Sequence, residues 1–333
     1  MARSRRRKLP TEPVVARIDA LGDDGRGLAL VDGKRVLIHG VLPGEEVSFV
    51  YSRKRGPYYE GQVEAILQPA ADRVEPGCEW FGLCGGCSLQ HLAPGAQIRA
   101  KERRLLQGFQ DIARILPDQV LPPLTAATPW GYRRKARLGV KYVAKKGRVL
   151  VGFRERGSGF LADIQRCRVL DPLVGELIVP LAELIGGLSI REQIPQIEVA
   201  IGDRACVLVF RVLSPPSEDD GRALLAFADD HSIGICLQQG GPETVYPLSG
   251  QKTDLFYDLS AHQVRIRFEA TDFTQVNTRL NQLMVDRALA LLAPQPNERL
   301  LDLFCGLGNF TLPLARRCRQ VVGVEGDEGL VAR

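Results

Sequence analysis

The run Leu300-Leu301-Asp302-Leu303-Phe304-Cys305-Gly306-Leu307-Gly308-Asn309-Phe310-Thr311 is built like a ligand loop. An apolar strand enters a glycine turn, and a helix begins just beyond it. Glycine lets a ligand approach the backbone, and the first turn of a helix offers N–H groups without partners. Twenty-three residues after Asp302 stands Glu325, closing a second apolar run, Val321–Val324. An acidic residue at the tip of the second strand is where a doubly wound sheet hydrogen-bonds a ribose diol. The glycine spacing is G-x-G, not G-x-G-x-x-G, so a dinucleotide pyrophosphate is not the expected ligand. An adenosine with a short zwitterionic tail fits better, and S-adenosylmethionine is that molecule. Asp302, Gly306, Gly308 and Glu325 are therefore candidate cofactor residues, set against a purely structural turn.

A second set of residues with chemistry is Cys78-x5-Cys84-x2-Cys87, with Cys167 far off between Arg166 and Arg168. Cys84-Gly85-Gly86-Cys87 is a tight loop that can offer two thiolates to one centre. Four thiolates suit either zinc or a 4Fe-4S cluster. Structural zinc more often uses two C-x2-C knuckles; a single knuckle with an isolated fourth cysteine favours the cluster. The alternative is that Cys167 is a buried bystander and the other three bind nothing. Disulfides are not expected of eight cysteines in a cytoplasmic chain.

The elements that must position these residues follow from patterning. Short alternating runs at Val14–Ile18, Gly27–Val31, Arg35–His39, Glu46–Tyr51 and Gly61–Leu67, separated by glycine-rich turns, predict five strands of a small OB-like barrel. A helix is expected over Pro94–Ala113, then a β-rich stretch from Trp130 to Asp163. Helices at Leu173–Gly186 and Asp220–His231, with strands at Ile197–Ile201, Ala205–Leu213, Gly234–Gln238 and Gln263–Phe268, predict an α+β region. After Glu269 the pattern becomes helix (Val276–Leu292), strand (Arg299–Phe304), helix start (Thr311–Arg317) and strand (Val321–Val324), which opens a parallel α/β sheet. The expected organisation is a disordered basic tail (1–11), a barrel (12–70), a central α+β domain (71–269) and the start of a cofactor domain (270–333). The helix over 94–113 is a candidate to pack on that last domain.

Charge narrows the partner. Between Arg99 and Arg168 stand 17 Lys/Arg against 5 Asp/Glu, an excess of 12 in a chain whose net charge is +5. Such a local excess suits a polyanion, and RNA is the commonest in the cytoplasm; a solvated basic face is the bland alternative. Alternation through Arg133, Arg134, Lys135 and Arg137 would place one set of cations on a single strand face, so these four are candidate RNA contacts. No run of about 18 apolar residues exists and the basic N-terminus leads into no apolar core, so neither a membrane span nor a secretory signal is predicted. A cytoplasmic monomer is expected.

Asp272-Phe273-Thr274-Gln275-Val276-Asn277 precedes the helix ending near Leu292, and on its own reads as a loop with Asn277 as helix cap. Taken together, the F-x-Q-V-N helix start, the glycine loop, the C-x5-C-x2-C set with its late fourth cysteine and the N-terminal barrel resemble the RNA m5U methyltransferases, above all those acting on 23S ribosomal RNA. The resemblance runs from about residue 12 to the end. It implies a TRAM-type barrel, a central iron–sulfur domain and part of a Rossmann-like class I methyltransferase domain, an α/β multidomain protein. It implies that Cys78, Cys84, Cys87 and Cys167 ligate a 4Fe-4S cluster, and that Gln275, Phe304, Asn309 and Glu325 contact S-adenosylmethionine.

The resemblance also implies the chemistry. Uracil C5 is a weak nucleophile until a cysteine thiolate adds to C6; C5 then takes the methyl group, a base removes its proton, and the thiolate leaves. The family places that cysteine and base after a D-P-x-R-type stretch, and neither that stretch nor a cysteine beyond Cys318 occurs here. Cys206, Cys236, Cys305 and Cys318 read as structural. The catalytic pair is therefore expected after Arg333, with the 333 residues binding RNA and a cluster but not turning over. Rival readings are a tRNA uracil-C5 methyltransferase, expected to lack barrel and cluster, and a non-catalytic iron–sulfur RNA-binding protein. A radical S-adenosylmethionine methylthiotransferase would need C-x3-C-x2-C.

Overall fold

The computed structural model describes residues 9–248 and 254–333, so most of the expected basic tail lies outside the described residues. The chain divides into two compact units, 1–123 and 124–333.

In the first unit, β1 (Val14–Arg17), β2 (Ala20–Leu21), β3 (Gly27–Val31), β4 (Lys34–His39), β5 (Glu46–Arg55) and β6 (Tyr58–Gln68) form one sheet in the order β1-β5-β6-β4-β3-β2. β1 and β2 are successive pieces of one stretch yet stand at opposite ends of that order, so the sheet closes on itself. Alternation fills the interior: Ala29, Val36, Ile38, Val47 and Phe49 are fully buried while their neighbours face outward. At Gly61 a Cβ would come within 2.5 Å of the Phe49 ring, so only glycine lets β6 cross there. β5 and β6 run beyond the expected limits because their polar ends pair with each other, Arg53 with Glu60 and Arg55 with Tyr58. A cysteine-bearing loop follows, and then α1 (Pro94–Gly108). That helix passes into a single π turn, Phe109–Ala113, and stops at Arg114.

The second unit is built on a six-stranded sheet. β7 (Lys135–Val143), β8 (Arg148–Gly152), β9 (Gln196–Ile201), β10 (Cys206–Arg211), β11 (Gly234–Gln238) and β12 (Val245–Pro247) lie in the order β12-β11-β10-β9-β7-β8, with β10 and β11 parallel and the rest antiparallel. The helix expected over 173–186 is two pieces, α2 (Pro172–Gly175) and α3 (Ile178–Gly187). α4 (Glu218–Asp230) starts with a reciprocal cap, in which Ser217 Oγ accepts from Asp220 N–H and the Asp220 carboxylate accepts from Ser217 N–H. Burial would raise that carboxyl, but bonds from Ser189 and Ser217 outweigh it and hold it at about 2.

A hairpin of β13 (Leu255–Leu259) and β14 (Val264–Phe268) leads to α5 (Thr278–Leu292). β15 (Arg299–Leu303), α6 (Thr311–Ala315), β16 (Gln320–Val324) and α7 (Glu328–Ala332) complete the chain, and β15 and β16 pair in parallel. Val207, Val209 and Cys236 of the large sheet share one core with Leu255, Ile266, Val285, Leu289 and Leu314, so residues on both sides of position 269 are buried together. The outer face of the parallel pair, Leu301, Leu303, Val322 and Val324, is exposed, the uncovered apolar face expected of a two-stranded parallel sheet. No described helix is long and apolar enough to cross a membrane.

Candidate cofactor site at the ends of β15 and β16

The glycine loop leaves β15 at its C-terminal end and crosses toward β16. Leu307 and Phe310 turn inward onto the shared core and anchor the loop from below. Phe304, Gly306 and Gly308 all have positive φ, at +60°, +54° and +85°. At Gly306 a Cβ would meet nothing within 4 Å, so the glycine there leaves the backbone open to a ligand. At Gly308 a Cβ would press on Leu312 at 3.1 Å, so that glycine also serves packing. Phe304 is a strained non-glycine residue whose side chain is 88% exposed, a combination that marks functional loops more often than structural turns.

Glu325 follows β16, and its Oε2 accepts from Gly306 N–H at 2.9 Å. Its Oε1 accepts from Gly326 N–H at 2.8 Å and Asp327 N–H at 3.3 Å. The Gly306, Gly326 and Asp327 amides hold the carboxyl below the usual carboxylate range, in that order of effect. Asp302 Oδ2 accepts from Thr311 Oγ1 at 2.5 Å, tying the end of β15 to the first turn of α6. Cys305 lies over Gly323, where a Cβ would sit 2.9 Å from its Sγ, which fits a packing role.

Asn309 is held from two other elements. Its Oδ1 accepts from Tyr257 Oη of β13 at 3.0 Å and from Asn281 Nδ2 of α5 at 2.8 Å. Its Nδ2 donates to Asn281 Oδ1 at 2.9 Å. Tyr257 and Asn281 also line a small polar cleft with Arg134, Thr274, Gln275 and Thr278. Gln275, expected only from the resemblance, therefore shares a cleft with the residues that hold Asn309. The expected cap is present as well, Asn277 Oδ1 accepting from Leu280 N–H at 2.9 Å. A larger cleft between β8 and α3 is walled mainly by aliphatic side chains and contains none of these residues.

The basic run is divided by the fold. On β7, Lys135, Arg137 and Lys141 share one face while Ala136, Leu138 and Val140 are buried on the other, as alternation predicts. Arg133 and Arg134 lie before the strand and pair with other chain segments: Arg133 bridges to Leu170 and Asn277, and Arg134 donates to Asp203 at 2.6 Å. Lys135 is 13% exposed; its ammonium meets Glu198 at 3.3 Å and donates to the carbonyl of Ala270. Burial lowers its pKa, with Glu198 opposing. The four expected RNA contacts thus differ in exposure: Arg137 is 67% exposed and stands 3.9 Å from Glu198, whereas Lys135 is largely buried against the same carboxylate.

Cys78, Cys84 and Cys87 are half-buried in one loop of the first unit, which turns on Phe81 N–H to Cys78 carbonyl and Cys84 N–H to Trp80 carbonyl bonds. Cys167 is half-buried in the second unit, its N–H on the Gly175 carbonyl. Cys206, Cys236, Cys305 and Cys318 are free thiols. Among the described residues, no three His, Cys, Asp or Glu side chains are assembled as a metal site. Burial pushes Cys206 up to about 12 and Cys236 up to about 11, and Cys318 donates to the Leu314 carbonyl at 3.3 Å.

The profile of the family described as tRNA (Uracil-5-)-methyltransferase matches residues 252–331. The chain is 51% identical over 332 residues to the 23S rRNA (uracil(1939)-C(5))-methyltransferase RlmD of Alkalilimnicola ehrlichii, covering 99% of this chain and 74% of that protein. It is 49% identical over 332 residues to RlmD of Methylococcus capsulatus, covering 99% and 75%, and 52% identical over 329 residues to that of Nitrosococcus oceani, covering 99% and 73%. Among solved structures, the Pyrococcus abyssi tRNA (uracil-54, C5)-methyltransferase in complex with S-adenosyl-L-homocysteine superposes with a TM-score of 0.69 at 20% identity, over 96% of this chain and 75% of that one. At that identity the likeness shows a shared mixed α/β fold.

Proposed function

Because the chain belongs to the family of 23S rRNA (uracil(1939)-C(5))-methyltransferases, we propose that it methylates C5 of that uridine in 23S ribosomal RNA with S-adenosylmethionine, held by the loop from Phe304 to Phe310 and by Glu325. The observation that carries the reading is the meeting of the glycine loop, Asn309 and Glu325 at the C-terminal ends of two parallel strands, the edge where α/β sheets bind ligands. The bound cofactor supplies an electrophilic methyl group. Gly306 leaves room for it, the exposed Phe304 ring offers a face for its base, and Glu325 accepts from its ribose. Gln275 completes the set from the neighbouring cleft, and Asp302 braces the loop.

A gene deletion tests the substrate without presupposing any residue's role. Nuclease digestion and mass analysis of 23S rRNA from the deletion strain are expected to lack 5-methyluridine at the position in the relatives' name, while transfer RNA keeps its own. Loss from transfer RNA alone would move the assignment to the tRNA enzymes.

We read the closed sheet of the first unit as an OB-like TRAM barrel that binds RNA, and β15-α6-β16 as the opening of a Rossmann-like class I methyltransferase domain. Arg137 then contacts phosphate, while Arg133, Arg134 and Lys135 set the position of the strand that carries it. We read Cys78, Cys84 and Cys87 as ligands of a 4Fe-4S cluster, with Cys167 as the fourth. The donor set fits, since three thiols within one ten-residue stretch provide soft anionic ligands of the kind iron takes. Anaerobically purified protein is expected to be brown, with about four irons and four sulfides per chain, and serine at any of the four positions to lower that content. Colourless protein carrying one zinc would replace the cluster with a zinc site.

A further inference from the structure

We propose that Tyr257 and Asn281 are positioning residues of the cofactor site, fixing the Asn309 carboxamide so that it presents one N–H donor and no acceptor to the ligand. The inference rests on the reading that Asn309 touches S-adenosylmethionine.

A carboxamide oxygen has two lone pairs and its nitrogen two hydrogens. On Asn309 both lone pairs are filled, by Tyr257 Oη at 3.0 Å and Asn281 Nδ2 at 2.8 Å. One of the two hydrogens is committed to Asn281 Oδ1 at 2.9 Å, which leaves one. An unrestrained asparagine can turn its amide by half a rotation and exchange donor for acceptor. Here that turn, made by Asn309 alone, would set NH2 against NH2 and carbonyl against carbonyl across the pair with Asn281. Tyr257 adds to the restraint as a neutral donor, because burial pushes its phenol well above the ordinary tyrosine value.

Packing alone does not explain these choices. Asn281, Val285 and Leu289 form the buried stripe of α5, at one-turn spacing, and an apolar residue would serve packing at the first position equally well. Asn281 is 3% exposed, and both Asn281 and Tyr257 line the cleft that contains Gln275. The lone hydrogen of Asn309 therefore selects an acceptor on the ligand, such as a ring nitrogen or a carboxylate oxygen.

The test is calorimetric titration of the full chain with S-adenosylhomocysteine, run on Tyr257→Phe, Asn309→Ala, Asn309→Asp and the double variant Tyr257→Phe/Asn309→Ala. Thermal unfolding without ligand is followed in parallel. Tyr257→Phe keeps the ring and removes one donor, so it is expected to weaken binding about threefold to tenfold with little change in unfolding midpoint. In the Asn309→Ala background the same change is expected to cost nothing further, because its effect passes through Asn309. Asn309→Asp, which offers only acceptors, is expected to bind more weakly than Asn309→Ala. Unchanged affinity in Tyr257→Phe, or an equal loss in both backgrounds, overturns the positioning role and leaves the Asn309 contact standing. Unchanged affinity in Asn309→Ala instead removes the contact itself.

Discussion

Replacing Glu325 with alanine is expected to weaken binding of S-adenosylhomocysteine about a hundredfold, measured by calorimetric titration against the parent chain. Two effects combine. The first is loss of the acceptor that holds Gly306 N–H at 2.9 Å and keeps the glycine loop against β16. The second is loss of the ribose contact. A carboxylate has about four acceptor positions, and three are filled here by Gly306, Gly326 and Asp327, so one remains on Oε2 for a hydroxyl. Charge-assisted bonds of this kind are each worth about tenfold, which sets the combined figure. Glutamine does not substitute: its NH2 would face either Gly306 N–H or the amides of Gly326 and Asp327, donor against donor. Because these amides lower the carboxyl's pKa, more of the charge is retained at the ordinary carboxylate value, and it is lost as pH falls through the lower one. Binding should therefore hold steady from pH 8 down to about 5 as far as Glu325 is concerned. A loss of less than about threefold in Glu325→Ala would mean that the carboxylate serves the loop alone.

Much of this site is written locally, and the part that is not has a definable cause. The strand, glycine turn and acidic tip lie within 26 consecutive residues, Leu300 to Glu325, and each is set by neighbours in sequence. Apolar periodicity and glycine placement report such features directly. The strands of the first unit's sheet were legible for the same reason, through alternation. Tyr257 and Asn281 were not. They lie 52 and 28 residues from Asn309, on a strand and a helix that each look ordinary in isolation. β13 went unread because Leu-Phe-Tyr-Asp-Leu is five residues with little alternation to separate it from a loop. For Asn281 a signal did exist: an amide on the apolar stripe of α5, one turn before Val285, is a polar group that burial must satisfy. Lys135 and Arg134 show the converse. Alternation correctly put Lys135 on the outer face of β7, yet charge counting could not register Glu198 and Asp203, more than 60 residues away, which take up their charges. A local excess of cations overstates what a polyanion meets wherever the fold returns acids to the same face.

The same long-range logic gives the largest expected effect on stability, at the base of the cysteine loop. Glu45 is fully buried, and Arg73 meets it in two bonds, Nε to Oε1 at 2.5 Å and Nη2 to Oε2 at 2.7 Å. Leu42 N–H and Ala70 N–H donate to the same carboxylate at 2.8 and 3.2 Å, and Arg73 Nη2 also donates to the Gly40 carbonyl. Burial alone would raise the Glu45 carboxyl; the Arg73 bond and these amides outweigh it and hold it below the ordinary range. Arg73→Met removes the counter-charge and leaves a buried carboxylate, which costs about 3–5 kcal/mol, read as a lower denaturant midpoint of the full chain. Glu45→Gln/Arg73→Met, with no stranded charge, should recover part of that loss. The sign with pH follows from the lowered value. In the parent chain Glu45 contributes its full stabilisation above the ordinary carboxylate pKa, and that contribution fades as pH falls through the depressed one. In Arg73→Met the unpaired carboxylate takes up a proton more readily, so the gap between variant and parent narrows on acidification. If Cys78, Cys84 and Cys87 hold the proposed cluster, the clasp also matters to function. Arg73 bridges Leu92, and Val74 N–H meets the His91 carbonyl at 3.0 Å, so the two ends of the loop bearing Cys78, Cys84 and Cys87 are closed beside it. Arg73→Met is thus expected to lower iron content as well as stability, and Glu45→Gln/Arg73→Met to lower iron content more than its stability implies, since the ion pair then no longer ties the loop to the sheet of the first unit. Full iron content in both variants, with the loss of stability intact, would show that the loop closes without the clasp.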